Sequence, residues 1–198
     1  MCVCSGKIFW QQGGADKVMK TQNGKILIAY TSQFGSTAGI ADAIKKELGG
    51  NGAKVETKAI KDVKDLHLYD AVIIGSPIQY DKWVPETTEF VTTNQEVLEH
   101  KPVAFFFSCM ALSLPTEKSK RQGKVYSDYL LNAFPKVKPF AVGQFAGALN
   151  MSKMSLIWRL VFKLIMAKTG AKEGDHRDWN AIRRWSKDVD KELSFAKG

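Results

Sequence analysis

The feature that most constrains the fold is an apolar run followed by a hydroxyl-rich turn and then a helical pattern. It spans residues 25–44 and reads KILIAYTSQFGSTAGIADAI. Its apolar run, residues 26–29, is typical of a strand that is buried on both faces, as in parallel sheets. After the turn, apolar residues recur at helical spacing, and charged residues occupy the other side. The stretch therefore predicts a strand, a turn and a helix in immediate succession.

The predicted turn has the chemistry of an anion site. It carries several hydroxyl side chains and one glycine, Gly35, which lets the backbone approach a ligand closely. N–H groups at the start of a helix lack intrahelical partners, and the helix dipole is positive there. The turn has neither the Gly-Lys-Ser/Thr of ATP-binding loops nor the Gly-x-Gly-x-x-Gly of dinucleotide-binding turns. Because the turn also holds no lysine or arginine, neutral donors would hold a phosphate there, as suits a mononucleotide. The alternative is that the hydroxyls only cap the helix.

The same stretch resembles the FMN-binding signature of flavodoxins. The residues that carry the resemblance are Ile28, Tyr30, Ser32, Gly35, Thr37, Ala41 and Ile44. The chain departs from the signature at Phe34, where flavodoxins commonly carry threonine, so one side-chain donor is missing. The resemblance implies FMN as cofactor, with its phosphate bound by the first loop. The residues of that loop are Ser32, Gln33, Phe34, Gly35, Ser36 and Thr37.

Strand and helix patterns alternate along the rest of the chain. Further strand patterns lie at residues 53–60, 69–75, 103–107 and within 138–149, with helical patterns between them. The alternation predicts an α/β fold, a flavodoxin-like three-layer sandwich around five parallel strands in the order 2-1-3-4-5. In such sheets ligands bind beyond the carboxyl ends of the strands. The loops after strands 1, 3 and 4 should therefore converge on one site.

The middle loop, residues 76–83, is expected to flank the flavin ring, as the resemblance implies. Aromatic Tyr80 or apolar Ile78 would cover one face of the ring, and so could Trp83 unless it packs against the next helix. The loop has no glycine, and only Asp81 is expected to tolerate a positive φ. Because flavodoxins that stabilise the semiquinone typically need such a residue, this absence favours two-electron chemistry. The candidate cofactor-binding residues of this loop are Ser76, Pro77, Ile78 and Tyr80.

The third loop is expected to contribute backbone groups and apolar contact to the ring. Its candidate residues are Ser108, Cys109, Met110 and Ala111. Cys109 is expected to be a packed thiol, because no histidine lies nearby in the sequence. The chain has three cysteines in all and no Cys-x-x-Cys, which favours a reducing cytoplasm. No metal site is predicted, and no residue is required as a catalytic acid or base.

The net charge of +9 differs from the acidic surface that is typical of flavodoxin electron carriers. A basic surface favours anionic partners. A basic patch at the start of the fourth predicted helix includes Lys118, Lys120 and Arg121, which could receive the carboxylates of a substrate. The alternative is a solvated basic surface. Since no nucleic-acid motif accompanies the charge, nucleic acid is not an expected partner.

The C-terminal part distinguishes this chain from a plain flavodoxin. It holds an additional apolar helix, Met154–Lys168, and a final helix that Asp178 caps. From about Lys25 onward the chain resembles the menaquinone-dependent protoporphyrinogen IX dehydrogenase family, although the turn at 170–178 looks shorter than in that family. The resemblance implies FMN, a quinone acceptor and a porphyrinogen donor. The apolar helix is too short and too charged to span a bilayer, but it could lie on a membrane surface or line a quinone pocket.

The sequence therefore predicts an FMN-dependent oxidoreductase in residues 25–198, after an N-terminal extension that is mobile unless Phe9 and Trp10 dock. It is expected in the cytoplasm, with peripheral membrane contact through Met154–Lys168. Two alternatives stay open: a carrier of single electrons between protein partners, and a flavodoxin-like binding protein without flavin.

Overall fold

The computed structural model describes residues 24–51, 53–114, 116–149 and 173–195. Its strands there are β1 (Lys25–Tyr30), β2 (Lys54–Ala59), β3 (Ala71–Gln79), β4 (Lys82–Trp83), β5 (Val103–Cys109), β6 (Ala141–Ala146), β7 (Ala148–Leu149) and β8 (Gly174–Asp175). Its helices there are α1 (Ser36–Leu48), α2 (Pro85–Thr93), α3 (Gln95–Glu99), α4 (Glu117–Ala133) and α5 (Trp179–Phe195).

Five of these strands form one parallel sheet in the order β2-β1-β3-β5-β6. Counted along the chain without the hairpin strand β4, this is the predicted order 2-1-3-4-5, so the predicted sheet is confirmed. β4 pairs antiparallel with the end of β3, and β7 pairs antiparallel with β8. The strand order reverses between β1 and β3, which is where sheets of this kind bind ligands.

Helices cover both faces of the sheet, because alternate residues of a central strand point to opposite faces. Phe105 belongs to the core that α2, α3 and α4 cover, and its ring centroid lies 4.9 Å from that of Trp83. The next residue, Phe106, belongs to the core that α1 and α5 cover, and its ring centroid lies 6.3 Å from that of Trp185. The predicted three-layer sandwich is therefore confirmed.

Two elements differ from the sequence pattern. β3 continues to Gln79, past the predicted end at Gly75, because its last residues pair with β4. The helix expected from Pro85 is divided at Asn94 into α2 and α3. The Asn94 side-chain amide donates to the Phe90 carbonyl at 2.8 Å, which satisfies the end of α2 at the division.

Two predicted segments fall outside the described ranges. They are residues 1–23 of the N-terminal extension and the apolar helix Met154–Lys168 with its membrane contact. Both stay predictions. Over the described ranges, no helix is long and apolar enough to cross a membrane. The same ranges contain no group of three or more His, Cys, Asp and Glu that could hold a metal ion.

A polar cluster lies along the outer strand β2 and is centred on Glu56. The Tyr69 hydroxyl donates to Glu56 Oε2 at 2.7 Å, and the ammonium groups of Lys25 and Lys58 lie 2.9 Å and 3.2 Å from its carboxylate oxygens. The hydrogen bond from Tyr69, followed by that from Lys25, lowers the pKa of Glu56 from 4.5 to about 2. The carboxylate therefore stays charged well below the usual pH range.

We expect this cluster to make stability depend on acid. Because the pKa of Glu56 is lower in the folded chain than in the unfolded chain, its contribution to stability is complete above about pH 4.5 and is lost as the pH falls towards 2. Glu56→Gln should therefore flatten the loss of thermal stability between these pH values. Thermal unfolding at pH 2–7 measures this, with Glu89→Gln, an exposed glutamate of α2, as control. Equal acid sensitivity in Glu56→Gln and the wild type would contradict the prediction.

Candidate functional site

Direct contacts bring together the three loops that follow β1, β3 and β5. The hydroxyls of Thr37 and Ser108, from the first and third loops, are hydrogen-bonded at 2.9 Å and buried. The Gln79 side-chain amide donates to Gln33 Oε1 at 2.6 Å, which joins the middle loop to the first. All three loops therefore meet at the carboxyl edge of the sheet.

The first loop ends at the start of α1, which no side chain caps within the described part of the chain. Gly35 is the N-cap of α1 and has a φ of 85°, in the left-handed region that favours glycine. The first turn of α1 holds no acidic residue. Gly39 N donates to the Gly35 carbonyl at 3.1 Å, so the regular helix bonds begin there. The preceding N–H groups and the positive end of the dipole form a place for an anion.

The hydroxyls of the first loop divide into two groups. Ser36 Oγ accepts a hydrogen bond from Ala148 N at 2.8 Å, and the Thr37 hydroxyl pairs with Ser108. The oxygen Ser32 Oγ differs: it is buried and has no hydrogen-bond partner among the described residues. A buried hydroxyl without a partner is costly. Ser32 therefore offers a donor to a ligand, while Gln33 and Gly35 are exposed on the same loop and Phe34 is half-buried.

The middle loop is a tight hairpin between β3 and β4. Its two central residues, Tyr80 and Asp81, have φ values of 49° and 64°, as two-residue hairpin turns of type I′ require. The expectation that only Asp81 could take a positive φ is therefore wrong, because the register of Gln79 with Lys82 imposes the left-handed region on both residues. The absence of a glycine from this loop therefore does not speak against one-electron chemistry.

The aromatic residues of the middle loop lie in different environments. Tyr80 is 92% exposed at the tip of the hairpin, where its ring is free to contact a planar ligand. Trp83 is 3% exposed and packs against Phe105 and Phe134. Trp83 is therefore a core residue, and its ring contacts are with β5 and the residue after α4, whereas the alternative in the sequence analysis named the next helix. At the base of the hairpin Ser76 is fully buried, and Pro77 and Ile78 are half-buried.

The candidate residues of the third loop begin at Ser108, in the last two residues of β5, and continue past the end of that strand. Cys109 is half-buried, and Ala111 N donates to its sulfur at 3.4 Å. Burial raises the pKa of the Cys109 thiol, so it is a poor nucleophile, as expected. Met110 is half-buried and Ala111 is exposed, so this loop presents mainly apolar and backbone groups.

Tyr126 of α4 joins the hairpin to β5. Its hydroxyl donates to Asp81 Oδ1 at 2.7 Å, and its ring meets Phe107 edge-on at 5.8 Å. Burial, and then the hydrogen bond to Asp81, raises the pKa of the Tyr126 hydroxyl. The hydroxyl therefore keeps its proton, and the Asp81 contact persists at alkaline pH.

We expect Tyr126→Phe to loosen the hairpin while leaving the rest of the fold in place. The variant keeps the ring packing and loses one hydrogen bond to a charged group, so the turn should be destabilised by about 1 kcal/mol. Backbone amides of residues 79–83 should then exchange with solvent about fivefold faster. Hydrogen exchange followed by mass spectrometry measures this, with Tyr129→Phe on the same helix as control. Unchanged exchange in Tyr126→Phe would show that Asp81 does not depend on this contact.

The basic residues predicted to bind substrate carboxylates lie on the exposed side of α4. Lys118, Lys120 and Arg121 are all exposed. Lys120 forms an ion pair with Glu117 at 2.6 Å on the same helix. These positions stay candidates for binding an anionic substrate.

Comparison with known proteins places the chain in a family. The family model of the flavodoxin domain matches residues 27–175. The chain belongs to the flavodoxin domain family. A protoporphyrinogen IX dehydrogenase (quinone) of Leishmania major is 31% identical over 180 residues, which are 86% of this chain and 76% of that protein. The protein of the same name from Escherichia coli K12 is 24% identical over 172 residues, 83% of this chain and 94% of that protein.

A solved structure supports the fold independently. The structure of a short-chain flavodoxin associated with a bacterial microcompartment matches with a TM-score of 0.57 at 13% identity, covering 86% of this chain and 99% of that chain. The family and the relatives together support a flavodoxin-type oxidoreductase, for which a flavin is the implied cofactor. The residues present fit a phosphorylated flavin, because the uncapped start of α1 and the unpartnered Ser32 Oγ are donors suited to a phosphate.

Sequence reasoning missed one residue beside the first loop. Arg177 lies 141 positions after Ser36, yet its guanidinium donates to the Ser36 carbonyl at 3.3 Å. The spacing of residues near Arg177 gives no signal of this contact. The pairing of β7 with β8 and the packing of α5 against α1 in one core bring the C-terminal segment to this position.

Proposed function

We propose that this chain binds FMN between its three loops and catalyses the oxidation of a porphyrinogen-type donor with a quinone as acceptor. The observation that carries the FMN assignment is the buried, unpartnered Ser32 Oγ beside the uncapped start of α1. Donor and acceptor rest on the relatives from Leishmania major and Escherichia coli, which are named protoporphyrinogen IX dehydrogenase (quinone).

Bound FMN would supply the redox chemistry, because it can take up two electrons from a donor and pass them on. The chain's own residues bind and orient. Ser32 and the first N–H groups of α1 would hold the phosphate, and Gly35 keeps that approach free of a side chain. Tyr80 would contact one face of the ring from the hairpin tip, and Met110 would shield it from water.

The net reaction balances without a metal or a protein nucleophile. Two electrons and two protons leave the donor in each turnover, and the quinone leaves as quinol. Lys118 and Arg121 are proposed to attract the donor's carboxylates, since both are exposed cations on the first turns of α4. Met154–Lys168 is proposed as the part that meets the quinone or a membrane surface, because it is the most apolar helical pattern of the sequence.

An anaerobic titration of the FMN-loaded full chain tests this proposal. Dithionite should convert the oxidised flavin directly to the two-electron-reduced form, and a menaquinone analogue should reoxidise it rapidly. Protoporphyrinogen should then be consumed beyond one two-electron equivalent per bound FMN only when the quinone analogue is also present. The assignment of donor and acceptor would be refuted if the quinone analogue did not reoxidise the reduced protein and protoporphyrinogen did not reduce the oxidised protein.

A second candidate is a carrier of single electrons between proteins. The positive φ values of Tyr80 and Asp81 favour it, because the middle loop reaches the left-handed region without a glycine. The same titration separates the two candidates. A one-electron-reduced form that accumulates during reduction, with slow reoxidation by the quinone analogue, would support the carrier.

A further inference from the structure

Arg177 occupies an unusual position between the C-terminal segment and the first loop. Its side chain is 15% exposed and forms a two-point contact with Asp175, with Nε at 2.7 Å from Oδ1 and Nη2 at 2.8 Å from Oδ2. The guanidinium also lies over the Trp179 ring, 4.2 Å from its centroid. The third nitrogen, Nη1, donates to the Ser36 carbonyl at 3.3 Å. The side chain is thus fixed from three sides against the first turn of α1.

The first turn of α1 is shaped to receive this guanidinium. A Cβ atom at Gly39 would collide with Nη1 of Arg177, so glycine is what allows the close approach. Ser36 is held from a second direction, since its Oγ accepts the hydrogen bond from Ala148 N of β7. His176 N in turn donates to the Gly147 carbonyl at 3.3 Å. The paired strands β7 and β8 therefore attach Arg177 to the residue that opens α1.

The two charged side chains of this arrangement, Arg177 and Asp175, differ in their exposure to solvent. The Arg177 side chain is 15% exposed, whereas that of Asp175 is 42% exposed, so solvent screens the carboxylate more than the guanidinium. The hydrogen bonds from Arg177 lower the pKa of Asp175, which keeps the pair ionised. The positive end of this ion pair, the guanidinium, lies at the end of α1 where the helix dipole is already positive. The first loop itself contributes no lysine or arginine.

We propose that Arg177 is a positioning residue for the phosphate end of the cofactor and sets the preference for FMN over riboflavin. It would act by fixing the Ser36 backbone in the first turn of α1 and by adding positive charge beside it. This inference rests on the proposed FMN function. It makes the C-terminal segment part of the cofactor site.

Riboflavin tests the inference because it has the flavin ring and the ribityl chain but no phosphate. Both ligands are titrated into the full chain at low salt, and quenching of flavin fluorescence reports binding. Arg177→Gln should weaken FMN binding about tenfold and leave riboflavin binding within about twofold of the wild type. Arg177→Lys keeps the charge and should restore part of the preference for FMN. Arg183→Gln, which removes an exposed charge from α5, should bind both ligands as the wild type does.

Gly39→Ala provides a second test that does not depend on how Arg177→Gln folds. The alanine favours the helix and displaces the guanidinium, so it should also lower the preference for FMN. Unchanged affinity for FMN in both Arg177→Gln and Gly39→Ala would overturn the inference, and so would an equal loss of FMN and riboflavin. A wild type that binds the two flavins equally would instead refute the proposed phosphate site itself.

Discussion

Replacing Gly75 by alanine should lower the free energy of unfolding by about 2–3 kcal/mol and the melting temperature by about 5–10 °C. Gly75 lies in the buried central strand β3, opposite Phe106 in the register with β5. A Cβ atom at this position would collide with three atoms of the Phe106 ring. Phe106 is fully buried and packs between Phe145 and Trp185, so it has no space into which to move. Thermal unfolding followed by circular dichroism measures the effect.

Gly49→Ala is the matched control for this prediction. Gly49 ends α1 with a φ of −69°, and no atom of the described residues lies within 4 Å of the position of its Cβ. The same chemical change should therefore leave the melting temperature unchanged or slightly raised. If Gly75→Ala were as stable as Gly49→Ala, the packing of Phe106 against β3 described above would be incorrect.

Replacing Ser32 by alanine should weaken FMN binding about 10–100-fold without destabilising the chain in the absence of flavin. The hydroxyl is buried and has no partner among the described residues, so its removal costs that part of the flavin-free chain no hydrogen bond. With FMN bound, the same hydroxyl would donate to a charged phosphate, and that hydrogen bond is worth about 1.5–3 kcal/mol. Ser32→Ala should therefore lower the affinity for FMN while the stability of the flavin-free chain is kept. An ordinary structural serine would not produce this combination. Flavin titration and thermal unfolding of the same preparations measure both.

Ser186→Ala is the control for Ser32. Ser186 is fully buried in α5 and donates to the Ile182 carbonyl at 2.8 Å, away from the three loops. Its removal should lower stability by about 1 kcal/mol and leave the affinity for FMN unchanged. A Ser32→Ala variant that binds FMN as tightly as the wild type would exclude Ser32 as a phosphate ligand.

The sheet could be predicted from the sequence because its signals are local. The continuous apolar run of β1 and the buried pattern at 103–107 indicate strands with two covered faces, which only a parallel sheet between helix layers provides. Alternation with helices then leaves few topologies. The cap of the final helix was predictable for the same reason: Ala181 N donates to Oδ1 of Asp178, the predicted cap, at 2.9 Å.

The features that were missed depend on contacts between distant parts of the chain. Tyr80 is an unusual residue for a positive φ, and the pairing of Gln79 with Lys82 imposes that conformation. Burial of Trp83 depends on Phe134, which comes from the end of α4. Arg177 reaches Ser36 because β7 pairs with β8 and because α5, which follows Arg177, packs against α1. Periodicity within a short window carries no information about such contacts.

The central claim is that the first loop and the start of α1 bind the phosphate of FMN. Equilibrium titration of the full chain with FMN and, separately, with riboflavin tests it most directly. We expect saturable binding of one FMN per chain with a Kd at or below about 1 μM, and binding of riboflavin at least about tenfold weaker. The absence of saturable FMN binding, or equal affinity for the two flavins, would contradict the claim.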